Sequence, residues 1–483
     1  MNFSATDSFF VSRSRGQVIR TIAHMLLAAG GAMSLTSVAS AANAPNVSLQ
    51  AGPVALTFGG FMALESVYRD HNETADIGSN FNTGIPFPFQ VNDHVSEFRE
   101  TARQSRFSLL AQGPHTGALS AEGYLESDFL SSGVSSNSAE SNSYTLRIRH
   151  FYGVLRSSDT GWYLLAGQSW SLATLYTTAE LRPRSEQIPL TIDAQYVAGF
   201  NWTRNAQVRL VKQFGNGAAF GLSLESPQAS FTTGGAPATT IVTNTGGSLL
   251  NSTANYSIDF APDVIAKFAF DPGWGHYEVY GLARGFRDRY DPTAGSVAGS
   301  NNTAWGASVG AGIILPLTSQ LSFQVSGITG DGNGRYGSAQ LPDATIKPDG
   351  TVATINETQL LAGLTFKPTS TLTLYAYGGA EQAARRAFVT AAGAPVGYGS
   401  TLYNNSGCDG VTGTAATCVA NTKTVAQVTV GEWWKAYQGD IGNFQIGLQY
   451  SYTDRKTFSG VGGDPSTHIN MGFVSFRYYP YQR

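Results

Sequence analysis

Apolar and polar residues alternate along most of this chain, in short blocks separated by turn-forming text. The clearest block runs Tyr144-Thr-Leu-Arg-Ile-Arg-His-Phe-Tyr-Gly-Val-Leu155. A period of two puts Leu146, Ile148, His150, Tyr152 and Val154 on one face. Arg147, Arg149, Phe151 and Gly153 fall on the other. Ser157-Ser-Asp-Thr-Gly161 is a turn cluster, and Trp162 to Gln168 is a second strand. The pattern breaks from Ser169 to Tyr196, a loop carrying Glu180, Arg182, Arg184, Glu186 and Asp193. Taken alone, the hairpin reads as an amphipathic pair of strands with one wet face.

The same texture recurs down the chain. Alternation predicts further strands over 54–69, 103–112, 118–129, 200–214, 218–225, 259–271, 276–290 and 304–315. It also predicts them over 320–328, 358–366, 371–381, 425–437, 444–454 and 468–479. Tight turns such as Gly113-Pro-His-Thr-Gly117, Pro272-Gly-Trp-Gly275 and Lys367-Pro-Thr-Ser370 alternate with long loops. An even count of about sixteen strands, with short turns on one side and long loops on the other, predicts an all-β, antiparallel transmembrane barrel. A sandwich or propeller does not predict that asymmetry. Closing the sheet removes the unpaired edges that a bilayer forbids. Trp162, Trp274, Trp433 and Trp434 lie near the tight turns, where an interfacial aromatic girdle is expected.

Composition agrees. Charged residues make up 13% of the chain, against roughly 25% in an average protein. Aromatics reach 12%, with 55 glycines. Arg13, Arg15 and Arg20 precede the apolar run from Ile22 to Leu35, and Ala39-Ser-Ala41 offers a small-x-small cleavage site. The chain is therefore divided into a signal peptide (1–41), a short N-terminal segment (42–53) and a barrel (54–483). The formal charge is −3; leaving out three Arg and one Asp of the signal segment brings it to −5. That mild acidity argues against nucleic acid as a partner. Cys408 and Cys418 flank a short loop, and in an oxidising compartment they are expected to form a disulfide.

Several stretches carry a firmer resemblance. Ser105-Arg-Phe107, Ala121-Glu-Gly123, Leu146-Arg-Ile-Arg-His-Phe-Tyr-Gly153, Leu165-Ala-Gly-Gln-Ser-Trp170, Ile192-Asp193 and Gln207-Val-Arg209 follow one another in order. In this the chain resembles the DcaP-like family of outer-membrane porins and, more distantly, the trimeric general porins. The resemblance implies a sixteen-stranded homotrimeric barrel in the outer membrane of a Gram-negative bacterium. It further implies passage of small hydrophilic, often anionic, solutes, and a third loop, Ser169 to Tyr196, that narrows the pore. No heptad run lies between Ala42 and Val54, so no coiled-coil stalk is expected there.

If the apolar parity faces lipid, Arg106, Glu122, Glu126, Asp128, Arg147, Arg149 and Arg209 point into the lumen. A charge facing lipid at mid-bilayer costs roughly 2–4 kcal/mol, which favours that choice. Two readings of these charges stay open: a transverse field that selects ions, and mutual neutralisation by salt bridges. No enzyme, cofactor or metal motif survives inspection. Gly332-Asn-Gly-Arg-Tyr-Gly337 is followed by Pro342 and no helix. Gly306-Ala-Ser-Val-Gly310 lies inside a strand. Asp331-Gly-Asn-Gly-Arg335 has Pro342 where a calcium loop needs Glu. The seven histidines show no metal-ligand spacing. A passive porin is the leading reading; an adhesive barrel and a barrel lipid hydrolase are the alternatives.

Overall fold

The structure is a computed structural model, and it describes residues 48–131, 144–192, 197–248, 250–293, 298–410 and 417–482. The expected signal peptide and Asp193 lie outside the described residues.

Sixteen antiparallel strands close into a barrel. In chain order they are Val54–Arg69, the two pieces Glu97–Thr101 and Arg106–Gln112, Leu119–Ser131, Thr145–Ser157, Trp162–Trp170, Arg204–Gln213, Ala218–Glu225 and Asp263–Phe270. His276–Tyr290, Ser300–Pro316, Leu321–Asp331, Asn356–Phe366, Leu372–Ala383, Thr422–Gly439, Gly442–Thr457 and Ser466–Tyr479 follow. The last strand pairs with the first from Met62↔Tyr478 to Arg69↔Met471, so no edge is left there. Below that seam, Ser48–Ala51 folds back on the first strand through Ser48↔Thr57 to Ala51↔Val54. The segment expected to precede the barrel thus extends its sheet.

The barrel is inverted relative to a soluble protein. On the sixth strand Val208 and Leu210 are exposed, while Gln207 and Arg209 are buried. On the seventh, Phe220, Leu222 and Leu224 are exposed and Ser223 and Glu225 buried. An apolar outer face and a charged inner one are what a bilayer demands, because lipid cannot solvate charge. Trp162, Trp274 and Trp434 are exposed near the short-turn ends, as a girdle requires. Trp433 departs from that expectation. Its side chain turns inward, and Nε1 donates to the Leu190 carbonyl at 2.6 Å.

One irregularity changes a predicted face. Glu126 pairs with His150, but the next pair is Ser127↔Ile148. Arg149 is therefore the extra residue of a β-bulge. Before it, Leu146 and Ile148 are exposed; after it, Phe151 and Leu155 are exposed, and His150, Tyr152 and Val154 are buried. Strict alternation had put His150 and Leu146 on one face; the bulge separates them.

Long loops follow the odd strands and short turns the even ones. In the seventh long loop Cys408 and Cys418 are joined by a disulfide, with Cα atoms 4.8 Å apart. Cys408 packs against Phe87 of the first loop. The crosslink closes a loop of ten residues between two strands, so its roughly 2–4 kcal/mol act on the loops. Thiol titration of unfolded, unreduced protein is expected to find no reactive sulfhydryl. After reduction the barrel should keep its heat-modifiable mobility on gels; loss of that mobility would place the bond within the folding core.

Candidate channel lining and the loop that enters it

Strands two to four supply a charged inner wall. The bulge lets Arg147 and Arg149 reach the same carboxylate: Arg147 Nη2 lies 2.7 Å and Arg149 Nη1 3.0 Å from Asp128 Oδ2. Glu126 sits between Arg149 Nε at 2.5 Å and Arg106 Nη1 at 3.4 Å. Glu122 accepts from Arg156 at 2.9 Å and from Arg184 at 3.2 Å. Arg184 belongs to the third loop, so the loop meets the wall here. Five arginines thus engage three carboxylates. Arg106, Arg147, Arg156 and Arg184 side chains are 22–34% exposed, whereas Glu122, Glu126 and Asp128 are 0–12% exposed. These four arginines reach water, Arg149 is buried, and the carboxylates lie behind them.

The third loop, between Trp170 and Arg204, is fastened to the inner wall. Lys267 Nζ donates to the Thr174 carbonyl at 2.7 Å and pairs with Glu278 at 2.5 Å. The Tyr176 N–H donates to Glu278 at 3.2 Å, the Leu190 N–H to the Tyr377 hydroxyl at 3.1 Å, and the Ile192 N–H to Gln449 at 2.6 Å. The Gly199 N–H donates to Glu381 at 2.8 Å. These acceptors come from strands nine, thirteen and fifteen, so the loop crosses the lumen rather than leaving it. At Gly199 the backbone has φ +83°, and a Cβ would lie 2.0 Å from the Leu360 carbonyl, so glycine is required there.

No protein-family model and no curated protein matches the chain. Among solved structures, the outer membrane channel DcaP of Acinetobacter baumannii superposes with a TM-score of 0.61 at 17% identity, covering 90% of this chain and 100% of that one. The chain has the fold of that channel. OmpT, an outer membrane protein of Vibrio cholerae, is more weakly similar (10% identity, 90% of this chain, 100% of that chain, TM-score 0.48). So is an anion-selective porin from Comamonas acidovorans (10%, 88%, 99%, TM-score 0.47).

The residues singled out from sequence separate into groups. Arg106, Glu122, Glu126, Asp128, Arg147 and Arg149 come together on the wall, with Arg149 and Asp128 buried within it. Arg209 is corrected. It lies on the inner face but is fully buried: Nη1 donates to the hydroxyl of Tyr176 in the third loop, and Nη2 to the Trp170 carbonyl at 2.6 Å. It is a loop anchor, not a surface of the lumen. Arg182 pairs with Glu180 at 2.7 Å, with both side chains about half exposed. Burial pushes the Glu186 carboxyl up to about 7, against the opposing pull of Arg209.

Sequence reasoning missed Arg156, Arg477 and Tyr124. Arg477 pairs with Glu65 at 2.5 Å and reaches the Ile192 carbonyl of the third loop at 2.9 Å. The Arg184 guanidinium lies 5.2 Å from the Tyr124 ring. A signal for Arg156 existed. Strict alternation puts it on the lipid face, where a charge is costly, so its presence marked a shift of register upstream.

Proposed function

We propose that this protein is an outer-membrane porin: a water-filled channel that passes small hydrophilic solutes by passive diffusion, biased toward anions and dicarboxylates. It sits in the lipid bilayer of a Gram-negative outer membrane as a homotrimer. One observation carries the bias: four arginines reach the water while their carboxylate partners lie behind them. Guanidinium groups stay charged and grip carboxylates bidentately. The apolar outer band supports the membrane reading, and the third loop, crossing the lumen, is the element that narrows the path.

Planar-bilayer recording tests the proposal. Purified protein is expected to give stepwise conductance that scales with bulk salt and, in a salt gradient, a reversal potential of anion-selective sign. Absence of conductance steps from folded protein would favour the adhesive barrel. A cation-selective sign would leave the porin standing and remove the bias.

A further inference from the structure

Asp70, His71 and His468 meet at the long-loop rim, where the first and last strands close the barrel. One donor atom from each lies within 4.8 Å of the other two. No local spacing announces the group, because Asp70 and His71 follow the first strand while His468 belongs to the sixteenth. Closure alone assembles it: Arg69 pairs with Met471, and the Asp70 N–H donates to the Asn470 carbonyl at 3.2 Å.

Two of the three donors are already oriented. His71 Nδ1 lies 2.5 Å from the Asp93 carbonyl oxygen. A carbonyl only accepts, so the proton sits on Nδ1 and the Nε2 lone pair is left for a ligand. Nε2 lies 3.8 Å from Asp70 Oδ1. The Asp70 carboxylate is fixed in turn by Asn470, whose N–H and Nδ2 donate at 2.8 and 2.6 Å. The His468 ring is exposed, 5.8 Å from the His71 ring and 5.6 Å from that of Tyr452. A histidine whose second nitrogen is held by a carbonyl, beside a hydrogen-bonded carboxylate, is the outer-shell arrangement of metal ligands.

We propose that Asp70, His71 and His468 bind one divalent transition-metal ion, zinc foremost, that staples the barrel seam. Two imidazoles and a carboxylate suit zinc, whereas calcium and magnesium take oxygen donors. Zinc bonds of about 2 Å place tetrahedral ligands roughly 3.3 Å apart, and the exposed His468 ring supplies the closing movement. Three protein donors leave a fourth position for water. Because the unfolded chain separates the ligands, bound metal stabilises the closed barrel and ties the first loop to the last strand.

The test uses the full folded protein in detergent, stripped with a chelator. Titration with zinc, and with cobalt as a spectroscopic probe, is expected to show one saturable site per chain, a tetrahedral-type cobalt band and a higher unfolding midpoint. Magnesium and calcium should produce none of these. His468→Ala, at an exposed ring, should weaken zinc uptake by about tenfold or more. His115→Ala, at an exposed turn, should leave it unchanged. No saturable uptake by the wild-type protein overturns the proposal. So does uptake that survives in both His71→Ala and His468→Ala, which marks adventitious surface binding.

Discussion

Replacing Arg209 with alanine is expected to make the open-channel current noisier and to lower the unfolding midpoint, while leaving the reversal potential almost where it was. The arginine is fully buried, and its three nitrogens are spent on the loop and its support. Nε donates to Gln207 at 3.0 Å, Nη2 to the Trp170 carbonyl at 2.6 Å, and Nη1 to the Tyr176 hydroxyl. Alanine strips Trp170 and Tyr176 of this donor and removes the positive charge beside Glu186. Charge-assisted bonds contribute roughly 1.5–3 kcal/mol each, and a buried polar group left unpaired costs about 1–3 kcal/mol. A total of roughly 3–5 kcal/mol follows, in line with breaking a buried charged contact. The loss falls on the third loop, because the strand's own ladder does not use the side chain. Single-channel recording and thermal unfolding check this together. A reversal potential that moves toward cations without added noise would mean that Arg209 faces the pore.

The strand plan was legible because lipid enforces it. Wherever a strand crosses the bilayer, every second side chain must be apolar, and that rule writes itself into blocks such as Ala218 to Glu225. Strand ends were less legible. The second strand begins at Glu97 and the fourteenth at Thr422, beyond the stretch where alternation is enforced. At the other margin, Pro262 lies just before the eighth strand, which starts at Asp263; it has no N–H to give a ladder.

The candidate site was readable only as far as parity held. Arg147, Arg149, Glu126 and Asp128 share an inward face and were found. His150 and Arg156 were not, because one extra residue at Arg149 reverses every later side chain. What covers a residue is not local at all. Arg209 and Arg106 have the same parity argument, yet one is buried against the third loop and the other stays in reach of water. His71 and His468 are the extreme case, adjacent only once the barrel has closed.

Removing Arg147 and Arg184 together is expected to abolish the anion bias without unfolding the wall. Each substitution leaves its carboxylate with a second arginine. Asp128 keeps Arg149 at 3.0 Å, and Glu122 keeps Arg156 at 2.9 Å. No buried charge is orphaned, so the large penalty for breaking such pairs is avoided. The wall then falls from a surplus of two positive charges to none. Two charges roughly 8 Å from a passing ion contribute on the order of 1 kcal/mol in a water-like dielectric, a bias of a few-fold at about 0.1 M salt. In Arg147→Ala/Arg184→Ala protein the reversal potential should therefore approach zero. Adding Arg106→Ala, which leaves Glu126 with Arg149 at 2.5 Å, should carry it to the cation-selective side. Arg149 is the wrong residue for this purpose: it holds both Glu126 and Asp128, so its loss would mix a change of charge with a collapse of the wall. At about 1 M salt the differences should shrink, since the screening length falls to roughly 3 Å. A folded double variant with an unchanged reversal potential would show that these arginines only neutralise their partners.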